Sequence, residues 1–381
     1  MKKLFYLFAV LTCATTIFAA EALPDSLILV DIYTGKTYKD IYTYDAMGHT
    51  MSTLYQVKDA ETNTWSNTDL FEYTRNAKGQ TLTYIHRIWD KTTTNWVFSA
   101  KTEYTYDDNG NTLASIQSTW DKESGWVYGN KRETTYNATG SILIYSTWSA
   151  GTWKEVYRVI TVITGNTITE TTQSIGVDDY RVTYTYDANG NLKSEVEEVA
   201  DDMEQLVLSK QLLYTYDDNN RLIETITQHY NASAKDWVNY LKTTNTYEGN
   251  NLVETHNYAW TSGDWVSANK RQITYDANGN ILTEITSLYN SASKTWTGSY
   301  MFEYTYNEQG WLLTQINSSW NKTTGDWDIT TIQTYYYPTS PTAIDQLNHQ
   351  SQITNGKSII NGHLLIHHGN QTFDARGARV E

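Results

Sequence analysis

The sequence predicts an all-β protein: about ten β-hairpin repeats of roughly 30 residues forming one elongated antiparallel sheet that twists or spirals, followed by a small C-terminal β segment. Three observations predict it. The phrase Tyr-Thr-Tyr-Asp returns at 42–45, 104–107, 184–187 and 214–217, with close variants at 274–276 and 304–307. A tryptophan precedes a tyrosine by ten residues again and again: Trp96 and Tyr106, Trp126 and Tyr136, Trp237 and Tyr247, Trp265 and Tyr275, Trp296 and Tyr306, Trp327 and Tyr337. Finally, residues 25–337 contain no proline, as expected where nearly every backbone amide must donate to a neighbouring strand.

In chain order, residues 1–22 read as an export signal. Lys2 and Lys3 start it, Leu4 to Ala14 supply an apolar stretch, and Ala20-Glu21-Ala22 offers small residues for cleavage. Cys13 lies inside that stretch, so the mature chain has no cysteine and no disulfide. No later segment reaches the roughly 20 apolar residues of a spanning helix.

Residues 23–337 are the repeat domain. Glycines closing the phrase stand at 48, 79, 110, 140, 165, 190, 279 and 310, with Asn220 and Asn250 in two further copies. Asp-x-Asn-Gly-Asn is turn chemistry, because Asn and Gly tolerate positive φ and the Asp carboxylate can cap turn amides. From each turn the chain runs out through Leu113, Ile116 and Trp120, or their counterparts, crosses a variable turn, and returns from tryptophan to tyrosine. Ten is an even step, so in a regular strand the returning Trp and Tyr share a face. Residues 338–342, with Pro338 and Pro341, read as a linker, and 343–381 have lost the repeat.

The turn phrase resembles the YD repeat of the Rhs and teneurin families, most closely at Asp107 to Leu113, Asp187 to Leu192 and Asp276 to Leu282. The resemblance implies antiparallel strands spiralling into a long sheet. The unit here is longer, Asn replaces the Arg common after the family's glycine, and no terminal toxin or self-cleaving segment follows. Residues 343–381 resemble instead the C-terminal sorting segment of proteins exported by the type IX route of Bacteroidota. Ser358 to Gly362, Leu364 to Ile366 and Asp374 to Val380 carry the match. That resemblance implies the type IX export machinery as a partner and delivery to the outer surface or beyond.

Composition narrows the function. With 28 Lys and Arg against 43 Asp and Glu, the net charge is −15, which works against nucleic acid and anionic membranes. The Asp-x-Asn-Gly loops lack the Gly and Glu positions of an EF-hand and read as hairpin turns. Glu195, Glu197, Glu198, Asp201, Asp202 and Glu204 read as a solvated hairpin tip, the eight histidines form no zinc set, and no nucleophile or P-loop motif occurs. The expectation is a protein without catalysis, metal or cofactor.

What remains is the aromatic ladder. Trp120, Trp126, Trp148, Trp153, Trp260, Trp265, Trp320 and Trp327 flank the variable turns, and they are the candidate ligand-binding residues. Cross-strand aromatic pairs stabilise sheets, while exposed indoles in a row stack on sugar rings. The sequence therefore suggests a secreted or cell-surface protein that binds glycans or adheres to a host or neighbouring cell. The alternative is a structural, self-associating scaffold. A porin-like barrel is disfavoured for lack of a continuous lipid-facing apolar band.

Overall fold

The computed structural model describes residues 23–174 and 177–337, and beyond them the backbone of five short strands. The expected export signal and linker lie outside the described residues.

The first hairpins are formed by β1 (Ser26–Asp31), β2 (Thr37–Tyr44), β3 (Thr50–Lys58), β4 (Trp65–Arg75), β5 (Thr81–Asp90), β6 (Asn95–Tyr106), β7 (Thr112–Asp121) and β8 (Gly125–Asn137). Then come β9 (Gly140–Ser149), β10 (Thr152–Thr164), β11 (Thr167–Ser174), β12 (Val177–Tyr186), β13 (Leu192–Ala200), β14 (Leu206–Tyr216) and β15 (Leu222–Asn231). The series ends with β16 (Asp236–Glu248), β17 (Asn251–Thr261), β18 (Asp264–Tyr275), β19 (Ile281–Asn290), β20 (Thr295–Tyr306), β21 (Leu312–Asn321) and β22 (Asp326–Tyr336). Each strand pairs antiparallel with the next, so the hairpin meander is as expected. Its closure is not. β1 pairs with β2 on one side and with β22 on the other, Leu29 standing opposite both Tyr38 and Gln333. The 22 strands form a closed barrel, which corrects the expected open, elongated sheet. Closure leaves no row of unpaired amides at either end.

The register sets the dimensions. Thr119 of β7 lies opposite both Ala100 of β6 and Val127 of β8; β8 then advances two ladder positions, to Asn130, before meeting β9 at Thr147. That stagger recurs around the barrel, so the shear comes to about the strand number, a ratio that tilts strands by roughly 36°. With strands about 4.8 Å apart, the backbone cylinder is about 40 Å across.

A second correction concerns faces. Directly opposed residues share a face, and Trp89, Arg87, Ile85 and Thr83 of β5 oppose Trp96, Phe98, Lys101 and Glu103 of β6. Trp96 and Lys101 therefore lie on one face although five residues apart, because Ser99 is an extra residue in a β-bulge. The bulge recurs in β8, β16, β18, β20 and β22. It reverses the alternation, so the tryptophan and the tyrosine ten residues later stand on opposite faces.

The direction of stagger decides which face is outside. Given the right-handed twist of sheets and the chirality of L-residues, side chains of the even strands point outward where their backbone groups bond forward to the next strand. Asp107 donates forward to the Asn111 carbonyl, and by alternation Thr105, Glu103 and Lys101 also bond to β7. The tryptophan face is thus the outer surface and the tyrosine face lines the lumen.

On the lumen side, Tyr106, Tyr216, Tyr275 and Tyr306 donate their hydroxyls to the carbonyls of Thr81, Leu192, Leu252 and Ile281, at 2.7–3.0 Å. Each bond ties the end of a return strand to the start of the strand before it. The Asp-x-Asn-Gly-Asn segments are three-residue hairpin turns with glycine at positive φ, as at Gly110 (92°) and Gly279 (87°). The Asp276 carboxylate accepts the N–H groups of Asn278 and Asn280 and the Asn280 side-chain amide. Asp107 is held below the usual carboxylate range by the equivalent bonds from Asn111. At the C-terminus, β23 (Gln352–Ile353), β24 (Lys357–Ile360), β25 (His363–His368), β26 (Gln371–Asp374) and β27 (Arg379–Val380) form a separate antiparallel sheet.

Candidate functional site

The candidate tryptophans all lie on the outer face, one step from the variable turns. Trp120 and Trp126 are register partners, as are Trp260 and Trp265, and Trp320 and Trp327. Trp148 and Trp153 pair in the same way. Their ring centroids are 5.2, 4.9, 5.0 and 5.1 Å apart respectively, at interplanar angles of 68–76°. This is the edge-to-face arrangement that the aromatic quadrupole favours. Every one of these rings is half-buried. The ladder is therefore neither a closed core nor a row of free indoles.

Three further pairs complete the belt: Trp89 with Trp96 (5.0 Å), Tyr230 with Trp237 (5.1 Å) and Tyr289 with Trp296 (5.0 Å). The belt is interrupted at β11–β14, where Ala200 opposes Leu206 in place of a ring pair. A second gap spans β1–β4, where Lys58 opposes Trp65, so the belt forms two arcs, β5–β10 and β15–β22.

The arcs differ two residues after the returning tryptophan. In β6 and β8 that position holds Phe98 and Tyr128, which bridge to the next pair. Phe98 lies 5.1 Å from Trp120 and 5.3 Å from Trp126; Tyr128 lies 5.2 Å from Trp148 and 5.5 Å from Trp153 and is 46% exposed. In β16, β18 and β20 the same position is Asn239, Ser267 and Gly298. At Gly298 an added Cβ would lie 2.8 Å from the Trp327 ring and 2.9 Å from Trp320, so this pair folds down onto bare backbone.

Lysines cap the returning rings. Lys101 lies 5.3 Å from the Trp126 centroid, Lys131 5.0 Å from Trp153, Lys242 5.1 Å from Trp265 and Lys270 5.0 Å from Trp296. Among the described residues no cation lies over the outgoing-strand partners Trp120, Trp148 and Trp260. In the first arc each capping lysine also holds a carboxylate: Lys101 with Glu103 and Lys131 with Glu133, both at 2.7 Å. The missed residues Phe98, Tyr128, Lys101, Glu103, Lys131 and Glu133 had a sequence signal. Trp-Val-(Phe or Tyr)-x-x-Lys-x-Glu occurs at 96–103 and again at 126–133.

The acidic stretch does not converge. Glu195 and Glu197 face the lumen, where Glu195 accepts from the Tyr214 hydroxyl at 3.2 Å and Glu197 pairs with Lys210 at 2.5 Å. Glu198 faces outward against Arg181, and Asp201 accepts the turn amides of Met203 and Gln205. Among the described residues no group of three His, Cys, Asp or Glu is arranged to hold a metal. Burial pushes the lumen tyrosines up: Tyr84, and Tyr184 with help from Glu170, reach about 12. His256, stacked on Tyr258 at 4.1 Å, is lowered by burial.

No family model matches the chain and no curated protein does. Among solved structures, it is similar to a DUF3836 family protein from Bacteroides vulgatus at 16% identity, over 24% of this chain and 96% of that one, with a TM-score of 0.21. It is similar to TcdB2-TccC3 at 14% identity, over 91% of this chain and 23% of that one (TM-score 0.27). A porin-like protein from Bacteroides uniformis is similar at 10% identity, over 63% of this chain and 96% of that one (TM-score 0.29). At these TM-scores the likenesses carry no argument about this chain.

Proposed function

We propose that the chain is an exported, non-catalytic barrel that acts at the cell surface or outside the cell and binds carbohydrate on its external tryptophan belt. The observation that carries this reading is the state of the rings: paired edge-to-face, half-buried and directed outward, they keep apolar ring surface at the barrel exterior beside neutralised Lys–Glu pairs. A flat apolar face next to hydrogen-bonding groups is what a sugar ring requires. Stacking needs no net charge, which suits a chain at −15.

Export rests on the signal-like residues 1–22 and on the likeness of 343–381 to a type IX sorting segment. The YD-like phrase belongs to the same reading as a hairpin unit. The outer face carries Arg87, Lys101, Glu103, Lys131, Glu133 and Arg181 in mid-strand. Each Arg or Lys would cost up to about 2–4 kcal/mol against lipid, and each Glu less, which favours a barrel standing in water over one spanning a bilayer.

The edge-to-face pairing itself favours a second reading, a structural shell whose tryptophans only brace hairpins. A glycan array probed with the full chain separates the two. Binding that falls in Trp260→Ala/Trp265→Ala or Trp120→Ala/Trp126→Ala while the barrel stays folded supports the carbohydrate reading. An array without hits supports the shell.

A further inference from the structure

The two arcs of the belt are not equivalent, and we propose that the β5–β10 arc is the glycan site, built as two copies of one subsite that hold successive segments of a single neutral, extended sugar chain. This rests on the carbohydrate reading above and deepens it.

Each copy is an octet on one return strand with the ring pair of the following hairpin. In the first, Phe98 meets Trp120 and Trp126, and Lys101 sits over Trp126 while holding Glu103. In the second, Tyr128 meets Trp148 and Trp153, and Lys131 sits over Trp153 while holding Glu133. A stacking surface thus adjoins a cation and an anion in each copy. Glu103 and Glu133 are 44% and 50% exposed, whereas their lysines are 20% and 15% exposed, so carboxylate oxygens face solvent and the ammonium groups are held against the rings. That arrangement offers hydrogen bonds to neighbouring hydroxyls without net charge, which selects a neutral sugar over a uronate or sulfated one.

The second arc carries no copy of the octet, although Lys270, over Trp296, meets Glu254 there at 4.0 Å. Asn239, Ser267 and Gly298 replace the bridging aromatic, Thr244 and Gln272 stand where the octet has Glu, and β20 keeps Glu303 but has Met301 where the octet has Lys. In the second arc the one bridge to a ring pair among the described residues is His256, 5.3 Å from Trp296 and stacked on Tyr258, whereas in the first arc Phe98 and Tyr128 each meet both rings of the following tryptophan pair. Adjacent hairpins are about 12 Å apart along the belt at the backbone, combining two strand spacings with a two-residue stagger. A compact monosaccharide therefore reaches one copy and an extended oligomer reaches both.

The test uses the full chain and tryptophan fluorescence titration with neutral β-1,4-linked glucose and N-acetylglucosamine oligomers of two, four, six and eight units. Affinity should rise by at least about tenfold between the two- and six-unit oligomers, the equivalent of about one stacked ring. Phe98→Ala and Tyr128→Ala should each remove most of that gain. Ser267→Ala and Asn239→Ala, at the matching positions of the other arc, should leave affinity within about twofold. Near-ultraviolet circular dichroism of the coupled tryptophans checks that each variant is folded, and Phe98→Tyr and Tyr128→Phe should restore binding. Binding that is independent of length, or lost in the second-arc variants instead, overturns this inference and leaves carbohydrate binding standing. Binding to none of the oligomers, together with an empty glycan array, overturns both.

Discussion

Leu27 of β1 and Tyr335 of β22 stand opposite one another across the seam that closes the barrel. Ile32 donates its N–H to the Thr330 carbonyl, so by alternation Leu27 and Tyr335 form a non-hydrogen-bonded pair, with Cα atoms about 4.5 Å apart. That separation lies within the range a disulfide spans. In a Cys13→Ser background, which removes the native thiol, Leu27→Cys/Tyr335→Cys should oxidise to one intramolecular bond in the folded protein. The bond closes a loop of about 300 residues, and the chain-entropy model assigns such a loop up to roughly 5–6 kcal/mol of stabilisation over the reduced form. Non-reducing electrophoresis and thiol alkylation read the bond; denaturant unfolding with and without reductant reads the stability. An open sheet of 22 strands would place these residues about 100 Å apart. Two thiols that stay free in the folded protein, or that form only intermolecular dimers, would refute the closed barrel.

Alkaline pH should weaken the barrel. The lumen phenols Tyr84, Tyr180, Tyr184 and Tyr306 have folded-state pKa values raised to about 12 by burial above all, with nearby carboxylates reinforcing Tyr180, Tyr184 and Tyr306. A raised folded value means stability that is intact below the unfolded value near 10 and is lost as pH rises toward 12; melting curves from pH 8 to 12 should fall in that window, and a flat profile would contradict the burial of these phenols. Tyr306→Phe removes the hydroxyl's bond to the Ile281 carbonyl and should cost about 1 kcal/mol in denaturant unfolding. Two glycine substitutions should separate strain from collision. At Gly279, with φ at 87° and open space around it, alanine pays only the left-handed backbone, about 1–2 kcal/mol. At Gly140 a Cβ would lie 1.8 Å from the Thr161 carbonyl oxygen, so alanine there should cost more; equal costs would show that the Gly140 contact is relieved by backbone movement.

The local rules of this chain are written in its sequence. Asp-x-Asn-Gly fixes the three-residue turns in which it occurs, because glycine, or Asn220 in its place, accepts the positive φ there. Aromatic and β-branched residues between turns fix strand, and the proline-free run extends it from β1 to β22. The eight predicted tryptophans could be placed at the variable turns because spacing from a turn is a local quantity. Two features are not local. The bulge at Ser99 and its counterparts appears only when a strand is laid against its partner, since an extra residue is defined by what it fails to oppose. It moved tryptophan and tyrosine to opposite faces and brought Phe98 and Tyr128 beside the next ring pair. Closure depends on a stagger of two residues per hairpin summed over 22 strands. No single repeat contains that sum, and the pairing of Ser26–Asp31 with a strand some 300 residues later carries no mark in either segment. A repeat sequence determines the twist of one hairpin on the next, whereas the number of hairpins and their accumulated shear decide whether the sheet spirals on or meets itself.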